Sequence, residues 1–467
     1  MSRLLPHLPA AFAAVLFCVL PAPRVAAAAP GTTTSTQTNI LPPIRWGPEN
    51  EWSLQIGGMH RLRYEYRGNH DMNKTVYDDD RLMPLRTQVS ADIVYRKVAR
   101  AFVEVLDSRM PGQRTDYQQE AHAHLNQAWV EFRQDRPNPW ALRLGRQELT
   151  LGESVLVDTS RTWSNLPSIF QGARILRSTP QWDLTAFVLQ PSTYRRPFRD
   201  TTTSGAKRGV DGQLFYGIYP TFRFLDPHEF DVYYLGFSDT DEARRVPAGP
   251  TSEDGTPGDT HRHTVGTRWR GPIRKTGQGT LGYGLEGGYQ FGRNSTDRIS
   301  AWFLHADINH QWDTAWRPKV ALVANMGSGD RRPGDGETNT FIPLYGTTRN
   351  PYGLMDFVRL QNMRQVGVEA SLKPTAKLTI EPGAHLFWLD SATDAWYNSG
   401  GSSLGRDKTG RSGRDLGSEV NVVAKYKLNN LASLEAGAVH FFSGGFAGRN
   451  GRGDSATSLY VQYVLRF

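Results

Sequence analysis

The side chains in this sequence best suited to chemistry are arginines placed among alternating apolar residues. Arg61 and Arg63 stand two apart; Arg86, Arg143, Arg174, Arg223 and Arg268 recur in similar settings further on. A guanidinium offers a planar fork of donors that meets a carboxylate or phosphate two bonds at a time. Acids are interspersed at Glu65, Glu131, Asp183, Glu286, Glu419 and Glu435, so some of these cations have partners nearby in sequence space. Other chemistries are thinner. His122-Ala-His124 and His261-Arg-His263 put two imidazoles on one strand face, but no third ligand accompanies them. Asp78-Asp79-Asp80 and the acids from Asp330 to Glu337 do not have the spacing of a calcium loop. The Arg-Gly-Asp tripeptide at Arg452 lies in a Gly/Arg-rich stretch, where chance accounts for it. Nucleophile elbow, zinc helix and phosphate loop are all missing, so the reading is a non-enzyme without cofactor or metal.

The composition narrows which elements can carry those arginines. The chain has 467 residues, 11% aromatic, 46 glycines and 38% hydrophobic, which excludes disorder and coiled coil. After the first 30 residues no apolar stretch is long enough for a membrane-spanning helix. Residues 1–29 open on Met1-Ser2-Arg3, continue through an apolar stretch from Ala10 to Leu20 and end in Val25-Ala26-Ala27-Ala28-Ala29. That pattern is a signal peptide. Its Cys18 is the one cysteine, so the chain beyond residue 29 uses neither disulfides nor thiolates. The net charge of +8 is therefore read in an exported, envelope context, and nucleic acid is excluded as a partner. Residues 30–51, rich in Thr, Pro and Asn, are expected to be an unstructured periplasmic lead-in.

From Trp52 to Phe467 the apolar residues alternate with polar ones, as in Leu281, Tyr283, Leu285 and Trp302, Leu304, Ala306. About eighteen such segments are counted, each long enough for a tilted strand to cross a bilayer. Their connections alternate short and long: 135–138, 225–227 and 429–430 against 149–168, 191–211, 292–299, 328–359 and 390–415. This predicts an all-β transmembrane antiparallel barrel, with short periplasmic turns and long outer loops. The final strand alternates Leu459, Val461, Tyr463, Leu465 and Phe467, a form that barrel assembly machinery reads, and its end should lie beside the first strand. Taking the apolar face as lipid-facing leaves Arg61, Arg63, Arg86, Arg143, Arg174 and Arg268 in the lumen. The segment 149–168 carries Trp163, Leu166 and neighbouring Ile169 and Phe170, too apolar to be left in water. This segment is expected to fold into the lumen and narrow it, pinning Arg146 near the constriction.

The run Ala101-Phe-Val-Glu-Val-Leu-Asp-Ser-Arg109 resembles a strand end of alginate-export (AlgE-like) outer-membrane proteins. So do Leu144-Gly-Arg-Gln-Glu-Leu-Thr-Leu-Gly152, Trp163-Ser-Asn165 and Phe170-Gln-Gly-Ala-Arg174. The resemblance is densest over 52–190. It implies a porin with a constricted, Arg-rich pore that passes a polyuronate, with Arg109, Arg146, Gln147 and Arg174 at the constriction. Arg61, Arg63, Arg86 and Arg268 join them from facing alone. The expected function is thus passive, selective passage of an anionic polysaccharide or oligosaccharide through the bacterial outer membrane, in contact with its lipids and lipopolysaccharide. An unspecialised small-anion porin and a surface adhesion barrel stand as alternatives. One departure is the periplasmic side, where the longest expected turn is Gly271–Thr280 and the last is only Asn429-Asn430. No long plug loop arises there.

Overall fold

Where apolar and polar residues alternate, the backbone is extended and each segment bonds edge to edge with the next. The structure, a computed structural model, describes residues 41–112, 120–159, 161–192, 212–240, 256, 258–346, 349 and 351–467. The expected signal segment 1–29 and the outer segments 193–211 and 241–255 lie outside the described residues. Eighteen long strands run through the described chain. The first nine are β1 (Trp52–Gly68), β2 (Leu85–Tyr95), β3 (Ala99–Arg109), β4 (Ala121–Arg133), β5 (Trp140–Gln147), β6 (Ile169–Ser178), β7 (Trp182–Ser192), β8 (Gln213–Phe222) and β9 (Glu229–Asp239). They continue as β10 (Thr260–Thr276), β11 (Gly279–Asn294), β12 (Asp297–Trp312), β13 (Lys319–Gly327), β14 (Met363–Ser371), β15 (Leu378–Trp388), β16 (Asp415–Lys427), β17 (Ala432–Ser443) and β18 (Ala456–Arg466).

Consecutive strands pair antiparallel, and β18 returns to β1 in a register from Met59↔Arg466 to Gly68↔Thr457. The sheet is a closed barrel. Closure matters because a strand edge open to lipid would leave N–H and C=O groups with no partner. The seam is completed by Phe467, whose N–H donates to the Gly58 carbonyl at 3.0 Å while Gly58 N–H donates back at 2.7 Å. A Cβ at Gly58 would fall 2.5 Å from the Phe467 ring, so only glycine admits it there.

The two-residue period sorts side chains as expected. On β1, Ile56, Leu62 and Tyr64 are exposed outward, whereas Arg61, Arg63 and Glu65 are buried inward. Val89, Val130, Val188 and Val461 continue the apolar outer band, and Gln88, Glu131, Gln290 and Gln462 the polar interior. At one end the connections are tight. Arg96 and Lys97 both take positive φ (44° and 64°) in the turn that joins β2 to β3. The Asn429 side chain accepts from Leu431 N and Ala432 N at 2.8 and 2.9 Å to hold the β16–β17 turn.

Three expectations need correction. Within the lead-in, Ile44–Trp46 is a short strand that folds back on Trp52–Leu54, so that part is ordered. The connection placed at 271–280 shrinks to Gly277-Gln278, since Thr276 pairs with Gly279. The long loop placed at 292–299 is only Ser295-Thr296, since Asn294 pairs with Asp297. The reason is common to the last two. Strands β10, β11 and β12 have 17, 16 and 16 residues, about 40 Å at a usual tilt. Beyond the lipid band both faces are wet, so pairing persists while the apolar alternation that marks a strand disappears.

At the other end long connections turn back into the barrel. Leu149, Leu151, Val155, Leu156, Val157, Phe341, Tyr352, Met355, Phe357 and Leu360 form one buried apolar cluster with wall residues Phe170, Phe215, Phe303, Phe387 and Phe441. This inner core fills the lumen on the long-loop side.

Candidate functional site: the lumen and its two inner loops

The connection from β5 to β6 reaches across the lumen because two points along it are held by distant parts of the wall. On one side Arg161 donates through Nε to Glu148 at 2.8 Å and through Nη2 to Glu104 of β3 at 2.8 Å. On the other, Glu153 pairs with Arg268 of β10 at 2.9 Å and also with Arg270. Between these anchors Leu151 and Val157 bridge, and Val157 bridges onward to Tyr345 of the second inner loop. Asp158 N donates to the Tyr345 carbonyl at 2.7 Å, and Tyr345 N to Leu156 at 2.9 Å. The two inner loops are thereby one body.

The second inner loop, 328–362, is fastened to other parts of the wall. Gln290 of β11 exchanges two bonds with Ile342, its Nε2 donating to the carbonyl at 2.8 Å and its Oε1 accepting the N–H at 3.1 Å. Glu419 of β16 accepts from Leu354 N at 2.7 Å and Met355 N at 3.1 Å. The inward folding expected of 149–168 is what the fold contains, and 328–362 folds inward with it.

Under this closure lie the first three arginines. Arg61 Nη1 donates to the Thr162 carbonyl at 3.2 Å, and its Nη2 to the Ser164 carbonyl at 3.2 Å and Asn165 Oδ1 at 2.7 Å. Arg86 donates to the carbonyls of Ser164 and Arg161, each at 2.7 Å. Arg63 donates to the Trp163 carbonyl at 3.0 Å and pairs with Glu65. The chain from Arg161 to Asn165 is thus a strap whose carbonyls lie on adjacent guanidiniums of β1 and β2. Among the described residues neither Arg61 nor Arg86 has an ion pair, and the Nε of each is buried without a hydrogen-bond partner. Carbonyl dipoles hold these cations in place but do not cancel their charge.

Trp163 pins the strap. Its ring lies between two guanidiniums, Arg63 at 3.6 Å and Arg349 of the second inner loop at 3.2 Å from the ring centroid. Tyr460 of β18 meets it edge-on at 5.0 Å. Each face of an indole attracts a cation, so one side chain joins wall, strap and second loop.

The other expected site residues divide. Gln147 and Arg174 are lumenal neighbours, with Arg174 Nη1 donating to the Glu148 carbonyl at 3.1 Å. Arg268 is lumenal but neutralised by Asp231 and Glu153. Arg109 and Arg146 do not join them. Arg109 has the parity of Val103 and Val105 on the outer face and pairs with Asp107 at 2.9 Å. Arg146 has the parity of outward Leu142 and Leu144; it bonds the Asn126 carbonyl at 3.2 Å, Ser192 and His124. A strand flips its face with every residue, which puts Arg146 off the constriction. Sequence reasoning missed Arg161 and Arg349. For Arg161 the neighbouring Trp163-Ser-Asn165 run was a usable signal; for Arg349 there was none.

Toward the short-turn end, a cavity of about 270 Å³ opens between β13 and β16, lined by Lys319, Glu369, Glu381, His385, Asn421 and Lys425 beneath Gly353 and Leu354. Among the described residues no three His, Cys, Asp or Glu are grouped to hold a metal. The Arg-Gly-Asp side chains are tied down. Arg452 donates to the Leu404 and Asp71 carbonyls at 2.7 and 2.6 Å, and Asp454 accepts from Lys74 N at 2.9 Å.

A family model described as "Alginate export" matches residues 52–462, from the first residue of β1 into β18. No curated protein is matched by the sequence. Among solved structures, the crystal structure of Pseudomonas aeruginosa OpdO aligns with a TM-score of 0.56 at 12% identity, over 89% of this chain and 97% of that one. The outer membrane protein OprD of Pseudomonas aeruginosa aligns at 0.52 and 14%, over 89% and 94%. OccD3 (OpdP) of the same organism aligns at 0.56 and 12%, over 89% and 91%. Identities this low speak for the fold alone.

Proposed function

The chain belongs to the alginate export family, an outer-membrane channel of porin fold, and from that premise we propose that its lumen passes a carboxylate-bearing saccharide by passive, selective diffusion. The observation that carries this reading is the pair Arg61 and Arg86: buried, without an ion pair among the described residues, and covered by main-chain carbonyls. Carbonyl oxygens accept there as carboxylate oxygens would. A uronate that displaces one replaces a dipole with a full charge, strengthening the bond to the same guanidinium. The strap must move for this, so the net gain per contact stays small. Weak, repeated contacts let a chain move on, whereas one tight site would hold it. Arg174, with a buried unpartnered Nε, is the next step of the path. Arg268 is less available, because Asp231 already occupies its Nε.

Residues 1–29 serve as the export signal in this reading, and the strand ending at Phe467 as the feature met by the assembly machinery. The barrel contributes no catalysis and takes no cofactor. Reversal potentials in planar bilayers under a KCl gradient test the proposal. The unmodified protein should be anion-selective, and Arg61→Met with Arg86→Met should shift the potential toward cation selectivity. Cation selectivity in the unmodified protein, or no shift in the double variant, leaves an unspecialised porin instead.

A further inference from the structure

The closure has a second pin, at His70, just past the end of β1. Its ring packs against Phe357 of the second inner loop, tilted by 45° with centroids 4.9 Å apart, and its Nδ1 is buried without a hydrogen-bond partner. Phe357 is itself central to the inner core, meeting Phe441 at 5.1 Å and accepting from Trp396 Nε1 at 2.7 Å through its carbonyl. The charged groups that face His70 come from three elements. β1 supplies Arg67 and Glu65, the second inner loop Arg349, and the last outer loop Arg452. Arg349 also faces Asp356, at 3.3 Å. Glu65, the acid that most favours the charged ring, is already shared by Arg63 and Arg67 at 2.6 and 2.7 Å. Arg452 is committed to the Asp71 carbonyl, one residue from His70.

We propose that His70 is a proton-operated release for the closure: a proton on its ring makes a fourth cation beside Arg67, Arg349 and Arg452, driving Arg349 off Trp163 and freeing the strap over Arg61 and Arg86. The neutral ring fits the pocket because its apolar face suits Phe357 and its unused nitrogen needs no counter-charge. The protonated ring fits poorly, because burial and the guanidiniums of Arg67, Arg349 and Arg452 oppose its charge. Burial, then Arg67 and Arg349, push the His70 imidazolium down to about 3 from an ordinary 6.5. The folded-state value is depressed, so closure keeps full strength above pH 6.5 and weakens as pH falls, until about pH 3. For a single proton the open-to-closed ratio should rise roughly 90-fold between pH 7.5 and 4.5.

The test is single-channel recording of the full-length, refolded barrel in planar bilayers at pH 7.5 and 4.5, with potassium chloride alone as the permeant salt. The expected result is a large rise in open-to-closed ratio at pH 4.5 in the unmodified protein, lost in both His70→Asn and His70→Phe. Arg349→Met should already open more often than the unmodified protein at pH 7.5. Two variants of different shape guard against misfolding, and heat-modifiable gel migration reports that each barrel has formed. A flat response in the unmodified protein overturns the proposal. So does a rise that persists in His70→Asn, which would assign the sensitivity to Asp356 or Glu65. Because no saccharide is used, failure here is distinct from failure of the selectivity reading.

Discussion

Trp163→Ala should loosen the strap without touching the barrel wall. The indole makes two cation–π contacts, at 3.6 Å with Arg63 and 3.2 Å with Arg349. Contacts this close in a desolvated setting contribute about 1–1.5 kcal/mol each. Losing both weakens closure by about 2–3 kcal/mol, or roughly 30- to 150-fold in the population with the strap displaced. The bonds from Arg61 and Arg86 to the strap carbonyls remain, so the variant should still close for part of the time. In a planar bilayer the result is more frequent openings to a larger conductance. Trp163→Phe, which keeps an aromatic face of weaker quadrupole, should fall between the two. The variant barrel should show unchanged heat-modifiable migration, because β1–β18 do not depend on the ring. If Trp163→Ala leaves both conductance and opening frequency as they were, the strap does not gate the lumen.

The same geometry sets two further outcomes. Glu419→Gln removes a carboxylate that accepts from Leu354 N and Met355 N, weakening the second loop's anchor by about 1–3 kcal/mol; trypsin should then cut the folded protein at Arg349 or Arg359 at least several-fold faster, and equal rates would refute that anchoring. Val188→Lys places a charge in the middle of β7 on the outer face, where the valine is 54% exposed; denaturant unfolding in lipid should show about 2–4 kcal/mol lost, and a neutral result would mean that this face does not meet lipid.

The barrel was legible in the sequence because lipid imposes a simple rule on each strand. Every second side chain of Leu459, Val461, Tyr463 and Leu465 must be apolar, and the alternating connection lengths then fix which end is which. The same rule already placed Arg146: it shares parity with Leu142 and Leu144, and the family resemblance pointed the other way. Where strands β10–β12 leave the lipid the rule lapses, and their true length could not be read. What only the tertiary structure decided is the state of the arginines. Arg268 and Arg61 look alike in sequence, each lumenal on an alternating strand. One is neutralised by Asp231 on the neighbouring strand and by Glu153 from an inner loop; the other is capped by carbonyls of residues about a hundred positions away. Periodicity fixes which face a side chain takes, through backbone geometry within one strand. Whether its charge is cancelled depends on which loop returns across the lumen, a long-range contact that leaves no local trace.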